Sequence, residues 1–399
     1  MKRLLRISLD TLIASLSSIL IWFILSVTID KNLINIFTLT FPIQYISSIL
    51  VSIFATGANI SKEKGNKNDT MSGILSGIVF TLLFLIVFLF NIESYIEFMK
   101  YSTDKLFVMY SVVQIALHTI LRFVQTKLYY EDRNKLANNY SIIFYLLNLI
   151  CIVFTSILFS NSIYIVAITI LILLIFTIYI LIKNSERFEF KFNILNWIKY
   201  DAVTLTDCTI MCLIYLFGLS NTVNFGEEYI LALTFVALIT DTQWDIANSI
   251  GTVAKIDISK NIFNYKEHLS NAKRLIYLLI LSVFIMFCIM FNFYNLDFII
   301  TLIFTTFHIV DFIIAPYYDI ETYYLQLEYS TRKAACIMLK SRIVRLILSF
   351  FNTPFCTVIA QTFASIYQMI YTKIIFNKNY KINKNGTVTN KKVVGEKHN

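Results

Sequence analysis

Charge is what this chain has least of. Asp, Glu, Lys and Arg make up 15% of its 399 residues, where an ordinary soluble protein carries roughly 25%. So little charge cannot wet the exterior of a globular protein of this size, which excludes a soluble fold. Glycine (9) and proline (3) are scarce as well, so the apolar runs are rarely interrupted. Six cysteines (Cys151, Cys208, Cys212, Cys288, Cys336 and Cys356) all stand inside apolar segments. Cys208 and Cys212 are four apart, but two thiols without partnering histidines are poor evidence for a metal. Packing roles are expected for all six.

What the chain does have is apolar length: 57% of it is hydrophobic. A helix needs ~20 apolar residues to cross ~30 Å of hydrocarbon. Such segments fall near 7–29, 33–56, 71–91, 105–126, 139–159, 162–182, 197–219, 228–253, 274–293, 299–325, 334–352 and 355–376. Solid apolar blocks such as 74–90 and 163–182 are incompatible with a β-barrel, whose strands alternate. Only intrahelical bonding satisfies that much backbone in lipid. The expected fold is therefore all-α and integral to the membrane, with twelve transmembrane helices.

Lys and Arg set the orientation. They cluster at Lys2, Arg3 and Arg6 and then in every second loop, from Lys62, Lys64 and Lys67 through Lys127, Arg133 and Lys135 to Lys255, Lys260 and Lys266. Both termini are expected to be cytoplasmic, in the cell membrane of a prokaryote. The net charge of +9 is then a topology signal, divided among many places, and no nucleic acid is implied. The first apolar run is too long for a cleaved secretory signal and has no small-residue cleavage site.

The chain repeats itself weakly. The run Phe123-Val124-Gln125-Thr126-Lys127 closes the fourth segment, and Tyr324-Leu325-Gln326-Leu327-Glu328 closes the tenth in the same way, about 200 residues on. Ala55-Thr56-Gly57-Ala58-Asn59 ends the second segment, and Ile250-Gly251-Thr252-Val253-Ala254 ends the eighth at a similar offset. Six helices per half is an even number, so the halves enter from the same side as parallel repeats. The expected organisation is two six-helix lobes around a central cavity: an N-terminal lobe (1–183), a cytoplasmic connector (184–199) and a C-terminal lobe (200–376). A disordered basic tail (377–399) is expected to follow.

With these motifs the chain resembles the multidrug and toxic compound extrusion (MATE) transporters, within the wider MATE, polysaccharide and lipid flippase superfamily. The resemblance rests on the small-residue end of the second helix before Gly65 and the Gln-containing end of the fourth. Tyr145-Leu146-Leu147-Asn148-Leu149 in the fifth, and the recurrence of the pattern in the second half, complete it. It spans about residues 5–376, although the chain is short for the family and has no proline in its first helix. The resemblance implies export of organic cations in exchange for Na⁺ or H⁺, with the coupling ion held by acidic residues of helices seven and ten. Asp207 and Asp319 fall at those positions. The first helix has no acid near Trp22, so no ion site is expected in the first lobe.

Depth supports the pair independently. Each Asp lies ten residues from an aromatic residue at the cytoplasmic end of its helix, Trp197 and Tyr329, or ~15 Å into the bilayer. A carboxylate there is costly unless protonated, paired or bound to a cation. Pro316 should kink the tenth helix just before Asp319. Further candidates line up around them. Asp241, Asp245 and Asn248 share one face of the eighth helix and are read either as a cation-binding wall beside Trp244 or as structural pairs. His308 and Asp311, three apart, are read as a proton relay or as satisfied interior groups. Arg122, Arg342 and Arg345 are basic residues at membrane depth, suited to an anionic headgroup.

Three functions compete. The first is an antiporter exporting a cationic, amphipathic small molecule, favoured by the acid-rich second lobe, with Na⁺ or H⁺ as coupling ion and no other cofactor or metal. The second is a flippase for a lipid-linked saccharide or other anionic lipid, favoured if Arg122, Arg342 and Arg345 face the central cavity. The third is a membrane enzyme built on His308 and Asp311, for which no nucleophile or metal constellation is found, so no enzyme is expected. The expected partners are the bilayer and the solute, and the expected state is a monomer.

Overall fold

A computed structural model describes residues 2–391 except 31, 32, 34, 101, 102, 160 and 292–295. Among the described residues the chain forms twelve helical spans. In order they are α1 (Lys2–Thr28), α2 (Phe41–Glu63), α3 (Asp69–Phe90), α4 (Lys105–Tyr130), α5 (Asn134–Leu158) and α6 (Ser162–Lys183). A connector helix (Ile194–Tyr200) leads to α7 (Ala202–Thr222) and α8 (Glu227–Ala247, continued as Ser249–Ser259). The chain ends with α9 (Tyr265–Met290), α10 (Phe298–Glu328), α11 (Thr331–Leu348) and α12 (Cys356–Asn379).

Short polar residues start many of these spans. Asp104 accepts from the Leu106 amide, Asn161 from Ile163, Asp297 from Ile300 and Ser330 from Lys333, satisfying amides that have no partner within the helix. Six spans, α2 to α6 and α9, are long and apolar enough to cross a bilayer alone, and two bent helix pairs raise the number to eight. One pair is the connector helix with α7, turned by 86°; the other is α10, bent by 46° between Ile314 and Tyr317, at the Pro316 step. Leu83, Ile86, Val87 and Phe90 on α3, Leu171, Ile175 and Ile182 on α6, and Leu278, Leu281 and Ile285 on α9 are all exposed. This apolar belt belongs to a multi-pass membrane protein with lipid around it.

The spans group as two lobes of six, α1–α6 and α7–α12. Between the lobes α2 packs on α7, and α1 packs on α8. Within α2, residues Ser52–Gly57 form a π-helical turn. The connector helix crosses this turn so closely that a Cβ on Gly57 would lie 2.2 Å from the Trp197 carbonyl oxygen. Trp197 is fully buried, and its indole donates to Asp69 Oδ2 at 2.9 Å, where Ser61 and Asn193 donate as well. The connector is thereby pinned to the first lobe by one buried carboxylate.

Three expectations need correction. Lys127 and Lys255, read as loop cations, are 2% and 7% exposed and lie inside helices. Several spans run past their apolar segments, α4 to Tyr130 and α9 from Tyr265. The tail after Asn377 is not simply disordered: α12 reaches Asn379, and β1 (Tyr380–Ile382) pairs antiparallel with β2 (Val388–Asn390). Tyr380 packs on Tyr324, Tyr329 and Phe376, and the hairpin turn bonds to Asn264, Tyr265 and Lys266. Residues 392–399 lie outside the described residues.

Candidate transport cavity

A cavity of about 300 Å³ opens between the lobes. The first lobe contributes polar residues of α2 (Gln44, Ser47, Ser48 and Ser52), Gln114, His118 and Arg122 of α4, and Tyr145 of α5. The second lobe contributes Asp201, Thr204, Asp207 and Cys208 at α7, Asn248 and Lys255 of α8, Tyr318, Asp319 and Tyr323 of α10, Arg342 and Arg345 of α11, and Gln361 of α12. Four basic side chains therefore face three acidic ones among the described lining residues. Three of the four are buried, with Arg345 4%, Arg342 6% and Lys255 7% exposed.

These charges are unevenly matched. Arg342 Nε donates to Asp207 Oδ1, forming an ion pair across two helices of the same lobe. Lys255 pairs with Asp201 at 2.8 Å, donates to Thr204 and lies 4.3 Å above the Tyr323 ring. Asp201 is almost wholly buried and also accepts from Ser52 of the first lobe (2.8 Å) and from Thr204 (3.0 Å). Among the described residues Arg345 donates to Gln361 Oε1 at 2.8 Å and to the Met211 sulfur and lies over the face of Tyr215. It has no carboxylate at ion-pair distance there, although buried Asp311 acts on it electrostatically. Arg122 has no carboxylate at ion-pair distance among the described residues. Asp319 likewise has no ion pair there, although Asp207, Arg342 and Lys255 act on it electrostatically.

Contacts between the lobes bridge both ends of the cavity. At the end that carries the termini, Asp132 pairs with Lys260 at 2.7 Å and Ser8 meets Ser249 at 2.7 Å. At the opposite end Tyr45 of α2 stacks on Tyr215 of α7 with ring centroids 5.3 Å apart, and Phe41 meets the same ring edge-on at 5.1 Å. Thr38 and Thr234 touch nearby, at 3.4 Å.

The residues singled out in the sequence divide into three groups. Asp207, Asp319, Asn248, Arg122, Arg342 and Arg345 come together on the cavity wall. Asp207 arrives with a fixed basic partner, which its reading as a bare cation ligand did not include. His308 and Asp311 are buried at 7% and 1% exposure, are not among the lining residues, and form no ion pair with each other. Asp241 and Asp245 lie on α8 with side chains outside the described residues. Asp201 and Lys255 were missed. The clue was Lys255 itself, embedded in the apolar run Val253-Ala254-Lys255-Ile256. Among the described residues no three His, Cys, Asp or Glu side chains converge as a metal site.

No protein-family model and no curated protein sequence matches the chain. Solved structures do match its shape. A MOP superfamily transporter from Pyrococcus furiosus Vc1 (DSM3638), with a binding pocket described as of reverse polarity that suggests a different function, superposes with a TM-score of 0.67 at 13% identity. The match covers 94% of this chain and 95% of that one. The MATE multidrug transporter DinF-BH in complex with R6G gives 0.70 at 11% identity, over 94% of both chains. An outward-facing MATE family transporter gives 0.65 at 12%, over 94% and 96%. The chain thus has, across nearly its whole length, the twelve-helix fold shared by these MATE and MOP superfamily transporters.

Proposed function

We propose that the protein is an alternating-access transporter whose central cavity takes a solute with an anionic group, such as a lipid-linked saccharide or another anionic lipid. One observation carries this reading: Arg122, Arg342 and Arg345 all line the cavity, and Arg122 and Arg345 have no carboxylate partner among the described residues. A buried guanidinium with no carboxylate at ion-pair distance among the described residues, as at Arg345, is costly, and an anionic group entering the cavity lowers that cost. Charge-assisted, bidentate bonding makes Arg the natural partner for phosphate or carboxylate.

The acidic residues fit the same scheme. An incoming anion competes with Asp207 for Arg342, and release of Asp207 beside Asp319 places two carboxylates where one H⁺ or Na⁺ is held. Loading the solute and loading the ion are then linked through Arg342. In this reading the protein acts as a monomer in the cell membrane with both termini cytoplasmic.

A second reading, exchange of a cationic amphiphile for Na⁺ or H⁺, is favoured by Asp207 and Asp319 sharing the cavity. Proteoliposomes separate the two. The anionic reading expects translocation of a fluorescent anionic lipid, reduced about tenfold or more in Arg345→Gln, since one charged hydrogen bond is worth ~1.5–3 kcal/mol. Uptake of a fluorescent organic cation that is unchanged in Arg345→Gln and abolished in Asp207→Asn would sink it in favour of cation exchange.

A further inference from the structure

A second, smaller chamber of about 200 Å³ lies beside the first, toward the end that carries the termini. The two chambers share a wall that includes His118, Arg122, Asn248 and Lys255. Their electrostatics differ. The described residues lining the second chamber include two cations, Arg122 and Lys255, and no carboxylate. Lys255 is already matched from behind by Asp201, so Arg122 is the uncompensated charge.

Two hydroxyl groups add to this. Tyr130 and Ser141 line the chamber at 4% and 1% exposure, and neither hydroxyl oxygen has a hydrogen-bond partner among the described residues. Buried polar groups are nearly always bonded, so two orphan hydroxyls on residues of one chamber wall, beside a guanidinium with no carboxylate at ion-pair distance, call for an acceptor. Water satisfies the hydroxyls but leaves the charge. An oxyanion satisfies both.

We propose that this chamber is a separate binding site for a compact oxyanion, a phosphoryl or carboxyl group, with Arg122 as charge partner and Tyr130 and Ser141 as hydroxyl donors. It rests on the anionic-solute reading of the main cavity. The shared wall lets one anionic end be handed from the main chamber to the second by the same guanidinium, without crossing an uncharged surface. The group arrives either on a lipid or on a soluble molecule, and the chemistry of recognition is the same.

Titration of the purified full chain in uncharged detergent tests the site, with pyrophosphate as the soluble probe and phosphatidic acid in mixed micelles as the lipid probe. Saturable binding of at least one probe is expected. Arg122→Gln should weaken it tenfold or more, and Tyr130→Phe and Ser141→Ala about three- to tenfold each. The exposed Lys135→Gln, which removes equal charge elsewhere, should leave it unchanged. Binding of pyrophosphate places the group on a soluble molecule, and binding of phosphatidic acid alone places it on lipid. Absence of saturable binding of both probes, or equal binding by Arg122→Gln and Tyr130→Phe, would overturn the proposal. The transport reading fails separately: cation uptake with Arg122-dependent pyrophosphate binding intact removes that reading and keeps the site. Anionic-lipid translocation that is normal in Tyr130→Phe and Ser141→Ala, with no probe bound, keeps the reading and removes the site.

Discussion

At the scale of single residues, the cavity is governed by which charges find partners. Arg342 and Asp207 are 135 positions apart in the chain, so nothing in the local pattern announces their pairing. Each was legible alone, because a charged residue inside an apolar run is expensive and must point inward. That argument found Asp207, Asp319, Arg122, Arg342 and Arg345. It missed Lys255, which was read as a loop cation, and Asp201, which stands at the junction of the connector and α7 and was not singled out. The pair itself can be measured. Asp207→Asn and Arg342→Gln should each lower the thermal unfolding midpoint, and the double substitution should cost less than the two together. The expected coupling is about 1–2 kcal/mol, reduced from a fully buried pair because Asp207 is 27% exposed. Strictly additive losses would mean that the two side chains act independently.

At the scale of elements, the connector between the lobes holds most of the surprise. A polar, charged stretch between two long apolar blocks looks like a free tether, yet Trp197 is buried against Gly57 and its indole is bound by Asp69. Gly57→Ala sets a methyl group against a carbonyl oxygen that cannot step aside. Loss of about 1–3 kcal/mol is expected, read as a lower unfolding midpoint, and an unaffected midpoint would show that the connector does not need this approach. The start of the connector is clipped by Lys127, which is buried and donates to Glu186. This hydrogen bond holds the Glu186 carboxyl below the ordinary glutamate range. A depressed carboxylate contributes stability above its unfolded-state value of ~4.3 and loses it as pH falls through the folded one. Glu186→Gln should therefore lower the midpoint near neutral pH and flatten its decline on acidification. A variant whose acid profile parallels the parent chain would assign that decline elsewhere. The effect is small, because Glu186 is 59% exposed.

At the scale of the whole molecule, the number and order of the spans were readable because a bilayer imposes one length on every crossing. Places where a helix is bent or interrupted were less so. The 86° turn before α7 fell inside a single apolar segment at 197–219, and hydropathy carries no information about direction. The closures at the two ends of the cavity were invisible for the same reason as the Arg342 pair: each joins side chains far apart in sequence. Asp132 and Lys260 form the ionic half of one closure, with Asp132 55% and Lys260 17% exposed. Such a pair is worth about 1 kcal/mol or less, enough to shift an open–closed balance up to about fivefold. In a chain keeping only Cys208, which lines the cavity, Asp132→Lys should speed thiol labelling from the terminus-bearing side by that order. The reciprocal change Lys260→Asp should restore the slow rate. Equal rates in all three forms would show that the bridge does not gate access.

The π-helical turn at Ser52–Gly57 has its own consequence for engineering. A π turn accommodates one residue more than an α turn, and each residue advances a helix by about 100°. Deleting a single position such as Thr56 is therefore the length change α2 can absorb by reverting to a regular α-helix. The rest of the span would stay in register, at the cost of the bulge that receives the Trp197 carbonyl. Deleting a residue from the regular helix between Ser48 and the turn would instead rotate Ser48 and Tyr45 together, by about 100°, relative to the rest of the span.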